Sequence, residues 1–262
     1  MDLGLHGKVA VVTGASRGIG LAVTQALAKE GLSVAAGART LTDDMSKLAA
    51  DYPVRPVQVD LTTQDGPEAL VEEAVATFGG LDVLVNNVGA VRPRPAGFLS
   101  VTDDEWTRSL TINFLAAVRT TRAALPHMFD RGAGSIVTTC SVNAILPDPL
   151  VIDYSAAKGA LANFSKALSK EAGPRGVRVN TVSPGPVATD LWLGAEGLAN
   201  TVAQANGSDP DAAARQAASG MVTGRFTRPE EVAYLVVLLA SERAGNVTGA
   251  DFVIDGGLVQ TL

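Results

Sequence analysis

Thr13-Gly14-Ala15-Ser16-Arg17-Gly18-Ile19-Gly20 is the stretch on which the fold turns. It closes a short β-branched run, Lys8 to Thr13, and opens the segment Gly18 to Glu30. There Ile19, Val23, Ala26 and Leu27 recur at helical spacing until Gly31 ends the pattern. Strand, glycine turn and helix in that order let the backbone bend tightly and come close to a phosphate, which the helix N-terminus attracts. The spacing differs from the commonest dinucleotide fingerprint, G-x-G-x-x-G, and no Lys-Ser/Thr ending marks a P-loop.

The same residues fit a second pattern. Gly14-Ala15-Ser16-Arg17-Gly18 matches G-x-S-x-G, a nucleophile elbow that would make Ser16 a nucleophile. That chemistry needs a histidine well after the serine, whereas His6 lies upstream and His127 sits inside a helical pattern. The nucleotide cradle is therefore the reading.

Outward from the cradle, strands and helices alternate. A second strand, Leu32 to Ala38, ends at Arg39, with no acidic residue to bond an adenosine ribose. The Arg39 guanidinium can pair with a 2′-phosphate, and Arg17 supplies a second cation, so NADP(H) is expected over NAD(H). Val54 to Val59 ends in Asp60-Leu61, where Asp60 either accepts from an adenine amino group or simply terminates the strand. A helix from about Asp65 to Phe78 and a strand Leu81 to Val85 follow, closing on Asn86-Asn87-Val88-Gly89. Short connections between alternating elements predict a parallel sheet covered on both faces.

A long helix is expected from Thr102 or Asp103 to near Arg131, with Asp103 as N-cap and Asp104 and Glu105 in its first turn. Asn113 falls on its apolar stripe, among Trp106, Leu110, Phe114 and Ala117, as a structural bridge or as part of a site. Gly134 to Thr139 is the fifth strand and leads to Cys140-Ser141, with Cys140 read as a small buried apolar residue. Tyr154-Ser155-Ala156-Ala157-Lys158 then begins a helix, so phenol and ammonium share one face. A nearby cation lowers a tyrosine pKa toward the range of a general acid or base. Val177 to Val182 is the sixth strand, Pro184-Gly185-Pro186 redirects the chain, and Asp251 to Ile254 is the last strand. A helix starts at Arg228-Pro229-Glu230-Glu231. Leu191 to Thr223 shows no clear periodicity, with an internal turn at Asn206-Gly207-Ser208-Asp209-Pro210.

Composition sets the outer bounds. At 262 residues and 47% hydrophobic, the chain fits one α/β domain. A formal charge of -6 argues against a nucleic-acid partner, and Arg92, Arg94, Arg119, Arg122 and Arg131 are read as a solvated face. One cysteine forbids an internal disulfide and suits a reducing compartment. With no leader pattern at the N-terminus and no membrane-length apolar run, the expectation is a cytosolic protein without a membrane partner.

Taken together, these motifs resemble the short-chain dehydrogenase/reductase family over nearly the whole chain. Thr13 to Gly20 is similar to its cofactor motif and Asn86-Asn87-Val88-Gly89 to its Asn-Asn-Ala-Gly, with valine in place of alanine. Asn113, Ser141, Tyr154 and Lys158 resemble its catalytic tetrad, and Pro184-Gly185 its nicotinamide-side turn. The resemblance implies a single-domain, Rossmann-like, doubly wound parallel sheet of seven strands with helices on both faces. It implies an NADP(H) site formed by Gly14, Ser16, Arg17, Gly18, Ile19, Gly20, Arg39, Asp60, Leu61, Asn87, Gly89, Tyr154, Lys158, Pro184, Gly185, Val187 and Thr189, with no metal.

By the same resemblance, Tyr154 exchanges a proton with a carbonyl or alcohol oxygen. Lys158 lowers the Tyr154 pKa and holds the nicotinamide ribose, Ser141 bonds the reacting oxygen, and Asn113 supports a proton-carrying water. The bulk of Val88 is expected beside the cofactor. Residues at about 190–224 would form a substrate lid with Trp192, Leu193, Leu198 and Met221 as candidate selectors, and the helix from Tyr154 to Ala172 would pair subunits into a homotetramer, or else a dimer. The implied substrate is a small carbonyl or alcohol, 3-oxoacyl chains and cyclic ketones included. A reading from another class is a nucleotide-binding regulatory or scaffold protein of the same fold without turnover.

Overall fold

Short apolar runs that bury both faces can be satisfied only by neighbours on each edge and helices above and below. The chain meets that demand with one parallel sheet, in a computed structural model that describes residues 2–195 and 197–261. Its strands are β1 (Val9–Thr13), β2 (Ser33–Ala38), β3 (Val54–Gln58), β4 (Val83–Asn86), β5 (Gly134–Thr139), β6 (Val177–Pro184) and β7 (Asp251–Ile254), in spatial order β3-β2-β1-β4-β5-β6-β7. Every neighbouring pair is parallel. The expected doubly wound seven-stranded sheet is thus present. Pro56, which lacks an N–H, sits in β3, an edge strand where a missing donor is tolerated.

Side chains alternate between two cores. On one face Ala10, Val12, Val34 and Ala36 pack against α1 (Gly18–Lys29) and α10 (Pro229–Ala240) through Val23, Leu27, Val232 and Val236. On the other, Val11, Ala35, Leu84 and Ile136 meet α3 (Gly66–Phe78), α5 (Ala116–Arg131) and α6 (Ile152–Ala172) through Leu70, Ala124, Met128 and Leu168. The strand order reverses between β1 and β4, which opens a crevice at the carboxyl ends of the strands.

Several local expectations are corrected. The long helix is two α segments, α4 (Asp103–Leu110) and α5, joined by a π turn at Thr111–Leu115 that contains Asn113. Its cap is Thr102 and not Asp103. The Thr102 hydroxyl accepts from Glu105 N at 3.3 Å, and the Glu105 carboxylate accepts from Thr102 N at 3.1 Å, a reciprocal capping box. Helix α6 starts two residues before Tyr154, at Ile152, and β6 runs on to Pro184. A further helix, α2 (Asp43–Asp51), is capped by Thr42. The unpatterned stretch folds into α7 (Asp190–Leu193), α8 (Leu198–Asn206) and α9 (Pro210–Ser219), with Gly207 in the left-handed region at the turn between the last two. The solvated-face reading fails for Arg94, which is buried. It fails also for Arg119, whose guanidinium donates to Thr62 O at 3.0 Å and Thr63 O at 3.1 Å.

Candidate active site

The strand ends are tied together by side chains the sequence places there. The Thr13 hydroxyl, at the tip of β1, accepts from Asn87 N at 2.8 Å and Val88 N at 3.0 Å. Asn87 Nδ2 donates to Thr13 O at 3.0 Å and Gly14 O at 3.3 Å, while its Oδ1 accepts from the Thr139 hydroxyl at 3.3 Å. One threonine and one asparagine therefore fix β1, β4 and β5 in register at the crevice. Asn86 turns inward to donate to Thr121 at 2.9 Å, and its Oδ1 has no partner among the described residues.

The glycine turn is built for close approach. Gly14 and Gly18 have φ of 67° and 55°, in the left-handed region. At Gly20 a Cβ would lie 2.1 Å from Gly14 O, so no other residue fits without moving the turn. Helix α1 begins after Arg17, and among the described residues no side chain caps its first N–H groups, which are directed into the turn. Arg17 and Arg39 are exposed around it. Asp60 is exposed too, and its carboxyl is held below the usual range first by the Thr62 backbone N–H, then by the Thr62 hydroxyl and, least, by the Arg39 charge. Leu61 beside it is buried.

Ser141 stands just beyond β5, where its oxygen accepts from Asn143 N at 3.2 Å. Tyr154 and Lys158 project from α6 toward the same point, and all three line one cleft of about 970 Å³. Lys158 is buried, with Nζ donating to Thr139 O at 2.8 Å and lying 5.6 Å from the Tyr154 ring centroid. Burial pushes the Tyr154 phenol up to about 12, with the Ser141 hydroxyl pulling the other way, and burial pushes the Lys158 ammonium down. The expected lowering of the phenol by Lys158 is therefore absent in this state. The ammonium is committed to a backbone carbonyl, and desolvation of both groups dominates.

Asn113 lies behind this wall and not on it. Its Oδ1 accepts from Ala90 N at 2.9 Å and its Nδ2 donates to Ala90 O at 2.8 Å and Ser109 O at 3.0 Å. The side chain bridges the loop after β4 to the helix, and the π turn supplies the bulge that lets it reach, as such turns do at functional sites. A Cβ at Gly89 would lie 3.0 Å from Asn113 Oδ1 and 3.7 Å from Lys158 Nζ, so the glycine keeps these two groups open to each other. Val88 packs against the core cluster that includes Leu61 and Leu70, while its Cα lies 3.0 Å from where a Cβ on Gly14 would stand, so its backbone borders the glycine turn.

Of the expected cofactor residues, Ile19, Asn87, Gly89, Tyr154, Lys158, Pro184, Gly185, Val187 and Thr189 line the cleft. Gly14, Ser16, Arg17, Gly18, Gly20, Arg39, Asp60 and Leu61 do not. They gather around the ends of β1, β2 and β3, and the turn meets the cleft wall where a Cβ on Gly18 would lie 3.1 Å from the Thr189 methyl. Of the four expected selectors, Trp192 and Leu198 line the cleft. Leu193 faces outward, and Met221 is buried beside the Gly256 turn.

One cluster went unread in the sequence. Arg94 donates from Nη2 to Asp153 Oδ2 at 2.6 Å and from Nη1 to Glu105 Oε1 at 2.5 Å, and its backbone N–H reaches Leu150 O at 2.6 Å. Its side chain and that of Asp153 are 8% and 3% exposed, so this pair is a buried tie between the loop after β4 and the residue preceding Tyr154. The partners lie far apart in sequence, which hides the pairing from any local pattern.

The profile of a family described as Enoyl-(Acyl carrier protein) reductase matches residues 14–259. The 3-oxoacyl-[acyl-carrier-protein] reductase FabG of Thermotoga maritima is 36% identical over 97% of this chain and 99% of its own length. D-threitol dehydrogenase of Mycolicibacterium smegmatis is 37% identical over 98% and 94% respectively. Among solved structures, L-sorbose reductase from Gluconobacter frateurii, complexed with NADPH and L-sorbose, superposes with a TM-score of 0.92 at 36% identity, covering 100% of both chains. The fold and the site thus define an oxidoreductase of the Rossmann-like class. The chain belongs to the short-chain dehydrogenase/reductase family.

Asp153→Ala leaves the Arg94 guanidinium buried with Glu105 as its remaining partner. Urea unfolding should show a loss of about 3–5 kcal/mol, the usual cost of breaking a buried pair from one side. A loss within about 0.5 kcal/mol, the range of surface substitutions, would mean the tie carries no load.

Proposed function

We propose that the cleft interconverts a ketone and a secondary alcohol with NADP(H), with Tyr154 as the proton-exchanging group. The observation that carries this reading is the convergence of Ser141, Tyr154 and Lys158 on one wall of a cleft that also contains Gly89, Gly185 and Thr189. In the reducing direction, ketone, NADPH and one proton give secondary alcohol and NADP+.

The chain's residues fit such a cofactor. The tight turn through Gly14 and Gly18, both in the left-handed region, and the uncapped N-terminus of α1 suit a pyrophosphate. Arg39 and Arg17 suit a 2′-phosphate, and no acidic residue ends β2 to repel it. Gly14, Ser16, Gly18 and Ile19 would line the turn, Asp60 and Leu61 the adenine side, and Asn87 and Gly89 the middle. Pro184, Gly185, Val187 and Thr189 would border the nicotinamide. When bound, the cofactor supplies the hydride.

The chain supplies the proton and the orientation. The Ser141 hydroxyl donates to the substrate oxygen and holds it beside the phenol. Tyr154, neutral at pH 7 as any phenol is and held so by burial that raises it further to about 12, gives its proton to that oxygen as negative charge develops. Lys158 would hold the cofactor ribose and, once its ammonium faces the phenol, would ease the return of a proton. Asn113, fixed to Ala90, supports a water that refills Lys158.

The FabG and threitol dehydrogenase relatives support a carbonyl or alcohol substrate, and the NADPH-bound sorbose reductase neighbour supports NADP(H). Residues 1–262 are read as one domain with a substrate lid at about 190–224. The apolar circumference of α6 supports self-association to a homotetramer, and the lone cysteine supports a cytosolic setting. Among the described residues no helix is long and apolar enough to cross a membrane.

Tyr154→Phe should lower kcat about 10²- to 10⁴-fold with NADPH affinity retained, measured by NADPH oxidation on a ketone panel and by direct cofactor titration. Turnover at the wild-type rate would remove Tyr154 from the chemistry. A wild type that binds NADPH yet reduces none of the panel would favour the scaffold reading. Arg39→Ala should weaken NADPH by about tenfold or more, as loss of a charge-assisted bond implies, and leave NADH little changed. Equal losses for the two cofactors, or a wild type that prefers NADH, would contradict the 2′-phosphate assignment.

A further inference from the structure

The substrate half of the cleft has a chemistry of its own. Beyond Ser141 and Tyr154, one wall is the loop after β5, with Leu146, Pro147 and Leu150, and the facing wall is the lid, with Trp192, Leu198 and Val202. The apolar character continues to the rim, where Leu146 and Leu191 are 48% and 45% exposed, and Ile145, next to Leu146 in the chain, is 56% exposed. Exposed apolar side chains clustered at a cleft mouth mark a surface that expects an apolar ligand.

Polar capacity in the same region is already committed or peripheral. Asn143 Oδ1 accepts from Ser141, and its Nδ2 donates to Ser155 Oγ at 3.2 Å. Asp148 Oδ1 accepts from Leu150 N at 2.9 Å. Ser208 and Gln216 are exposed on the lid. Among the described lining residues the cations reduce to Lys158, whose ammonium is buried against Thr139 O, and the remaining charge is the carboxylate of Asp148. A carboxylate or phosphate on the substrate would lose water here and meet no cation. A polyol would lose several hydrogen bonds and regain one or two.

Resting on the hydride-transfer reading of this site, we infer that its substrate is an uncharged, predominantly hydrocarbon ketone or the corresponding secondary alcohol, and that carboxylates, phosphates and sugars are discriminated against by desolvation. Each methylene that enters the apolar walls adds about fourfold to affinity.

The test uses 4-methyl-, 4-ethyl- and 4-propylcyclohexanone beside 4-oxocyclohexanecarboxylate and a ketohexose. Dissociation constants come from calorimetric titration with and without NADP+, and kcat/KM from NADPH oxidation. Affinity should rise about fourfold per methylene, and the carboxylate and the sugar should bind about a hundredfold more weakly than the ethyl ketone. Ala213→Lys, which puts a cation on the α9 wall, should narrow the gap between carboxylate and alkyl ketone by about tenfold. Carboxylate or ketohexose affinity equal to that of the ethyl ketone, or no dependence on chain length, overturns the inference. Selective binding of the alkyl ketones without turnover upholds it and instead removes the hydride-transfer reading.

Discussion

The site depends on three strand ends being held level. Parallel strands leave their carboxyl ends with carbonyls and N–H groups that the ladder no longer serves, and something must satisfy them where the sheet opens. Here the Thr13 hydroxyl and the Asn87 side chain do so, spanning β1, β4 and β5 through the Thr13, Gly14 and Thr139 contacts. Because Thr139 also takes Lys158 on its carbonyl, the same knot reaches α6 and sets where the ammonium stands. The glycines at 14 and 20 follow from it, since the turn must pass close under Asn87 with no side chain in the way.

A second constraint acts from the other side. The Arg94–Asp153 tie joins the loop after β4 to the start of α6, and Glu105 extends it to α4 through the residue that also closes the capping box. Tyr154 is thus flanked by a buried ion pair on one side and by the Ser141 hydroxyl on the other. Burial reinforces the resting charge state of the phenol, which stays neutral beyond its ordinary range, and pushes the lysine in the neutral direction. A neutral phenol is a proton donor, which is what a carbonyl oxygen gaining charge requires.

The layered fold was legible because its signals are local. Seven short, mostly apolar runs, the glycine turn and the helix periods between them lie in short windows, and all seven strands stand within two residues of their expected ends. Tyr154 and Lys158 share a helical face by spacing alone, and the structure sets both in the cleft with Ser141. Other features are not local. The π turn at Thr111–Leu115 leaves the apolar stripe almost unchanged, so Asn113 read as an odd polar residue on a straight helix. Arg94 looked solvated because its partners, Glu105 and Asp153, are brought to it by tertiary packing. Helices α8 and α9 are rich in alanine, which favours helix without marking a face, so their periodicity was faint. For α2 the signal was present, a threonine cap before Asp43 and Asp44, but it was short.

The most direct test of the account is the ionisation of the Tyr154 phenol, followed as the phenolate absorbance of wild type minus Tyr154→Phe while pH is raised. Burial beside Ser141 predicts no phenolate signal from this residue at pH 10.0, the ordinary midpoint, and a transition near 12. A midpoint well below 10.0 would contradict it: the phenol would then be poised as a base by Lys158, and burial would not be what sets its charge.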